Sequence, residues 1–167
     1  MSSLVVLRFG DMDGAEAMRD RMYDLQKREL ITIADAAVVK RNKKGKAKVK
    51  QARSLVGAGA LGGAFWGMLI GLLFFAPWLG LLAGATAGAL SGKLGDIGID
   101  NDFIKEVRDA IEPGNSALFL LTQGGNLDRI KEELSDFEYD FEIMDTNLSP
   151  EDDERLRETF AAEEVAG

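Results

Sequence analysis

An α+β fold interrupted by an apolar helical hairpin follows from three features of this sequence. Short runs of valine, leucine and phenylalanine alternate with stretches of helical periodicity, as strands alternate with helices. Near the C-terminus aromatic and acidic residues alternate one by one, the pattern of a half-buried strand. Between the two halves, residues 55–92 contain no Asp, Glu, Lys or Arg, although the rest of the chain is rich in all four.

Each element has its own local reason. "LVVLRF" (4–9) is a short apolar run that reads as an inner strand. Asp13 and Glu16 have capping-box spacing, and Ala15, Met18, Met22 and Leu25 recur at helical spacing, so a helix is expected from about Gly14 to Glu29. "ITIADAAVVKR" (31–41) reads as the second strand, and Lys44-Gly45 as the turn of a hairpin into a third. In that strand Lys46, Lys48 and Lys50 share one face, and Ala47 and Val49 the other. Beyond the apolar block, Phe103, Ile104, Val107, Ala110 and Ile111 trace a helical stripe ended by Pro113-Gly114.

"SALFLLT" (116–122) is a buried strand, and Leu127, Ile130 and Leu134 mark a short helix capped by Asn126. "FEYDFEIMD" (137–145) places Phe137, Tyr139, Phe141 and Ile143 on one face and Glu138, Asp140 and Glu142 on the other. Its acidic side also deters edge-to-edge pairing. Ser149-Pro150 opens an acidic C-terminal helix through about Phe160. With the apolar block set aside, the order is β-α-β-β then α-β-α-β. That is a split βαβ, ferredoxin-like sandwich with one extra helix and strand. Four segments follow: residues 1–53 and 96–148 form the two parts of this domain, 54–95 the apolar hairpin, and 149–167 an acidic helix and tail.

Within the block, glycine recurs every fourth position, at Gly59, Gly63, Gly67 and Gly71, and again at Gly80, Gly84, Gly88 and Gly92. A glycine inside an exposed helix costs ~1 kcal/mol relative to alanine, so a stripe of them needs tight packing in return. Such grooves let two helix backbones approach closely. Pro77-Trp78 fits the tip of a hairpin, with tryptophan suited to a membrane interface. At ~1.5 Å per residue, arm 55–76 spans roughly 33 Å and arm 78–92 about 22 Å, against a hydrocarbon core of about 30 Å. The first arm can cross a bilayer; the second is short. Leu61, Phe65, Leu69, Leu72 and Phe74 are the bulky residues expected to meet lipid or a partner subunit. Two competing readings keep the hairpin out of lipid, either as the core of one soluble domain or as the centre of a homo-oligomer.

Charge is equally segregated. The net charge is −8, yet residues 40–53 hold Lys40, Arg41, Lys43, Lys44, Lys46, Lys48, Lys50 and Arg53 and no acid. Such asymmetry marks a surface that meets something anionic. Lys43, Lys44, Lys46, Lys48, Lys50 and Arg53 are the expected contacts to anionic lipid, with the acidic tail of a neighbouring subunit as the second option. No aromatic residues interleave with these lysines, so nucleic acid is not expected. Basic residues flank both ends of the block, which by the positive-inside rule puts both termini in the cytoplasm of a membrane-anchored chain. A soluble cytoplasmic protein is the alternative. Arg8 interrupts the N-terminal apolar run after four residues, unlike a signal peptide.

Catalytic chemistry is not visible. The chain has no cysteine and no histidine, which removes thiolates, the commonest transition-metal ligand and the usual neutral-pH base. The alternating acids of the last strand point out in a row rather than converging on one cation. Glu151, Asp152, Asp153 and Glu154 suit the first turn of a helix, where acids complement the dipole. "TQGGNLD" (122–128) lacks both GxGxxG and a P-loop lysine, and reads as a turn. No metal, no cofactor and no enzymatic activity are expected.

A split β-α-β domain, "DAAVV", a Gly-Lys basic hairpin and two GxxxGxxxGxxxG arms together resemble the prokaryotic membrane proteins grouped as domain of unknown function 1269. The resemblance extends to about residue 148. It implies location and shape but no catalytic residues. The expectation is a membrane-associated structural protein that assembles with itself through its glycine faces, as a pore or a membrane-remodelling assembly. A soluble scaffold or shell and a small-molecule-sensing module are the alternatives, and the identity of any ligand is open.

Overall fold

The structure, a computed structural model, describes residues 2–52, 63–74, 98–123, 126–137, 139–152 and 154. The elements are β1 (Ser2–Phe9), α1 (Gly14–Lys27), β2 (Ile33–Arg41), β3 (Ala47–Gln51), α2 (Gly63–Phe74), α3 (Asn101–Ala110), β4 (Ser116–Gln123), α4 (Asn126–Glu133) and β5 (Phe141–Leu148). They form a mixed α+β fold around one five-stranded sheet of order β3-β2-β4-β1-β5, in which every neighbouring pair is antiparallel.

Both faces of the sheet are apolar, because β1 and β4 are near-continuous hydrophobic runs whose alternate residues point opposite ways. Val5, Leu7, Phe9, Leu118 and Leu120 pack under α1 and α4, with Met18, Met22, Leu25, Ile130 and Leu134. Leu4, Val6, Ala117, Phe119 and Leu121 pack under α2 and α3, with Phe65, Trp66, Leu69, Phe103 and Val107. A sheet with two apolar faces needs two covers, and α2 is half of the second one.

Several local expectations hold and others shift. The hairpin turns at Gly45, whose φ is +87°, while the Asn42 side-chain oxygen accepts from Lys44 N and Lys46 N, both at 3.0 Å. Ser149 and Asp152 cap each other reciprocally, Ser149 N donating to Asp152 Oδ2 at 3.3 Å and Asp152 N to Ser149 Oγ at 3.1 Å. The expected capping box at Asp13 and Glu16 is absent: Asp13 makes no side-chain cap, and Asp11 Oδ1 accepts from Gly14 N at 2.7 Å and from Asp13 N at 3.1 Å. Glu16 is drawn instead to Lys40 across the sheet edge, 2.8 Å away. The last strand begins at Phe141, four residues later than its alternation implies. Its partner β1 decides this, because Phe9 pairs with Phe141 and β1 ends there. Phe137 and Tyr139 still join the same core, as an aromatic cluster with Phe9 and Phe141.

The Lys40 contact has a measurable consequence. Its hydrogen bond holds the Glu16 carboxyl below the ordinary range, aided by the charges of Lys40, Arg19 and Lys50 and opposed by slight burial. A carboxyl depressed in the folded state stabilises the fold above its unfolded pKa and loses that contribution as pH falls through its folded value. A side-chain NMR titration of Glu16 should therefore move its midpoint upward in Lys40→Met. An unchanged midpoint would exclude the contact from solution.

Candidate functional site

Of the residues singled out by sequence, those within the described residues lie on α2 and on the β3 hairpin. Six of the eight bulky residues of α2, Phe65, Trp66, Leu69, Ile70, Leu73 and Phe74, are buried in the core under the sheet, Phe65 and Trp66 at 0% and 1% exposure. The expectation that Phe65, Leu69 and Phe74 face lipid or a partner is therefore corrected. The apolar sheet face offered by Leu4, Val6, Phe119 and Leu121 is a nearer surface of the same chemistry, and burial is non-directional. Phe65 stacks edge-on with Trp66 (ring centroids 4.9 Å apart), and Trp66 in the same way with Phe119 (6.4 Å).

Polar contacts fix how α2 lies. The Trp66 indole Nε1 donates to Asp35 Oδ2 at 2.8 Å, inside the core, and Asp35 is itself fully buried. Asp35 Oδ1 accepts from Ala36 N at 2.8 Å. A register irregularity in β2 between Ile33 and Asp35 makes this possible. In strict alternation Asp35 would share the face of Ile33, under α1; the irregularity turns it to the α2 side, as bulges commonly re-aim side chains. At the other end of α2, Arg108 Nε from α3 donates to the Leu73 carbonyl at 2.9 Å, one of the orphan acceptors of a helix C-terminus. The Arg41 guanidinium lies over the Phe74 ring, 5.2 Å from its centre, and also donates to the carbonyls of Ile111 (2.7 Å) and Gly45 (3.1 Å). Arg41, one member of the basic run, is thus a strut joining α2, α3 and the hairpin.

Nothing in the sequence alone pointed to the Asp35–Trp66 pair. The available signal was a lone acid inside the apolar run "ITIADAAVV" and a lone indole in the charge-free block, 31 residues away.

By their spacing Gly63 and Gly67 lie beside the buried Ile70 and Phe74 around the helix, and Gly71 lies at the margin of that side. Gly63, Gly67 and Gly71 share one flank of α2 by their spacing, and a Cβ built at Gly71 would meet nothing within 4 Å among the described residues. Gly59, Leu61, Pro77, Trp78, Gly80, Gly84, Gly88, Gly92 and Arg53 lie outside the described residues, as does the Gly124-Gly125 turn. Leu72 is in α2, and its side chain is likewise outside the described part. The expected hairpin is therefore seen only as the 12-residue α2, and among the described residues no helix is long and apolar enough to cross a membrane.

Lys43, Lys44, Lys46, Lys48 and Lys50 are all exposed, along the hairpin and the sheet edge formed by β3. Two open clefts border α1 and β5. The larger, about 660 Å³, is lined by Asp20, Arg21, Asp24, Arg28, Asp136 and Tyr139. Its charges are engaged with one another, Arg21 with Asp136 at 3.0 Å and Arg28 with Asp24 at 3.2 Å. No group of acids among the described residues has the geometry of a metal site.

A family model described as "Protein of unknown function (DUF1269)" matches residues 60–161, from just before α2 to beyond β5. No curated protein and no solved structure matches the chain.

Proposed function

This chain belongs to the DUF1269 family of proteins of unknown function, and we propose that it is a non-enzymatic protein that assembles with copies of itself through its glycine-faced helices. The observation that carries this reading is a contrast within α2. Its six described bulky side chains are buried against the sheet, whereas a Cβ at Gly71 would meet nothing within 4 Å among the described residues. Glycine at helical spacing on an open flank weakens the isolated helix and is repaid where a second helix approaches closely. The partner helix is the same flank of another copy, or its second glycine arm.

We infer a ferredoxin-like core for the same protein. The sub-order β2-β4-β1-β5, with α1 and α4 against one face, supports it. The segment between β2 and β4 then adds β3 at the edge and covers the other face with α2 and α3.

Gly71→Leu is the discriminating variant. Leucine is the better helix former by ~0.8 kcal/mol and its Cβ meets nothing within 4 Å among the described residues, so the unfolding free energy of the protomer should rise or stay level. Assembly, read by sedimentation velocity, should be lost because the side chain fills the groove. Normal assembly by Gly71→Leu would remove the reading.

A second reading keeps the membrane, favoured by the charge-free run 55–92. Since the inner side of α2 is occupied by the sheet, lipid contact would fall to the rest of that run. Extraction of membranes at alkaline pH separates the two: a bilayer-anchored chain stays in the pellet, and an assembly held by protein contacts alone is released.

A further inference from the structure

The two outer strands of the sheet differ in charge and match in direction. β3 lies at one end and β5 at the other. Lys48 and Lys50 are exposed on β3, with Lys43, Lys44 and Lys46 in the hairpin leading to it. Asp145 is exposed on β5, with Asp140 just before it, while Glu142 is engaged by Arg8 at 2.7 Å. Every neighbouring pair in the sheet is antiparallel, so β3 and β5 run the same way.

We propose that the β5 edge of one copy docks beside the β3 edge of a second copy, as a parallel strand pair held in register by opposite charges. Residue faces agree with this. Lys48 and Lys50 project on the α1 side of the sheet, as Val38, which pairs with Lys50, does. Asp145 projects on that side too, paired with Val5. On the α2 side, Val49 is 37% exposed, an unusual exposure for a strand valine. Two-fold pairing of like edges is disfavoured, because it brings lysine to lysine or acid to acid. The contact is therefore head-to-tail, and it builds a ring if its rotation closes and a filament if it does not. The inference rests on the self-association proposed above for its partner, a second copy, but uses a different surface from the glycine flank.

The test uses the full chain and two charge-reversed variants, Lys48→Glu/Lys50→Glu and Asp140→Lys/Asp145→Lys, all at exposed positions. Sedimentation velocity is compared at about 0.1 M and about 1 M salt, where the Debye length falls from ~10 Å to ~3 Å. The unaltered chain should lose its edge-dependent species at high salt, and each variant alone should lack it at low salt. Mixing the two variants in equal amounts should restore it, because the acidic β3 of one then meets the basic β5 of the other. Wild-type size in either variant alone, or no recovery on mixing, overturns the inference. So would lysine variants that keep their size and lose only binding to phosphatidylserine vesicles, which would assign the lysines to lipid. If a variant fails to fold, Lys48→Ala/Lys50→Ala and Asp140→Asn/Asp145→Asn must each flatten the salt dependence. Gly71→Leu separates the two surfaces: loss of assembly there with normal assembly by the charge variants sinks this inference and leaves the glycine reading standing.

Discussion

Trp66→Ala is expected to destabilise the fold by ~3–5 kcal/mol, out of a total of ~5–15 kcal/mol for an ordinary domain. The indole is 1% exposed, touches Phe65 and Phe119, and is the buried donor to Asp35. Removing it opens a cavity and takes a partner from a buried carboxylate at the same time. A milder pair of variants separates these effects. Trp66→Phe keeps most of the volume and removes the donor, which should cost ~1–3 kcal/mol. Asp35→Ala removes the acceptor. Because the two groups touch, the double variant should be less damaged than the sum of the singles, by roughly 0.5–3 kcal/mol. Chemical denaturation of the four proteins measures this. If Trp66→Ala cost no more than a surface substitution, α2 would not lie on the sheet in solution. The glycine flank would then have no defined orientation, and the proposed function would lose its basis.

Gly14→Ala should destabilise the fold as well. Alanine is the better helix former by ~1 kcal/mol, so propensity alone predicts a gain at this first position of α1. Sterics decide otherwise: the added Cβ would stand 2.5 Å from Phe9 Cγ and 2.6 Å from Phe9 Cβ and Cδ1. Phe9 is fully buried and wedged between Phe137 and Phe141, each ring 6.1 Å away, so it cannot swing clear. Overpacking of this kind costs ~1–3 kcal/mol, and after the propensity gain the net effect on urea unfolding should be destabilising by about 1 kcal/mol. Phe9→Leu in the same chain should recover part of that loss. Gly14→Ala with unaltered or raised stability would mean that α1 meets β1 less closely than it does here.

The strands were the most legible part of the chain. Apolar runs at 4–7 and 117–121 announced inner, buried strands, and β1 and β4 are buried on both faces there. The stripe Phe103, Ile104, Val107 marked the buried side of α3. Boundaries set by a partner were not legible: β5 starts at Phe141 because β1 ends at Phe9, a fact about a strand more than a hundred residues away in sequence. The cap of α1 shifted because other groups take its first N–H donors: Asp11 Oδ1 accepts from Asp13 N and Gly14 N, and Ser116 Oγ from Ala15 N.

By itself the sequence determined the elements, the segregation of charge and the spacing of the glycines, because these depend on local periodicity and composition. It also determined that an apolar helix would exist near residues 63–74. What that helix buries was decided only in three dimensions. Lipid, another subunit and the chain's own sheet present the same chemistry to Phe65, Leu69 and Phe74, and hydrophobic burial does not distinguish them by direction. The choice was made by contacts that composition does not encode: an irregularity in β2 that turns Asp35 toward α2, the indole of Trp66 that meets it, and Arg108 and Arg41 at the helix end. Polar groups that must be satisfied inside a core are directional, and here they hold α2 against its own sheet.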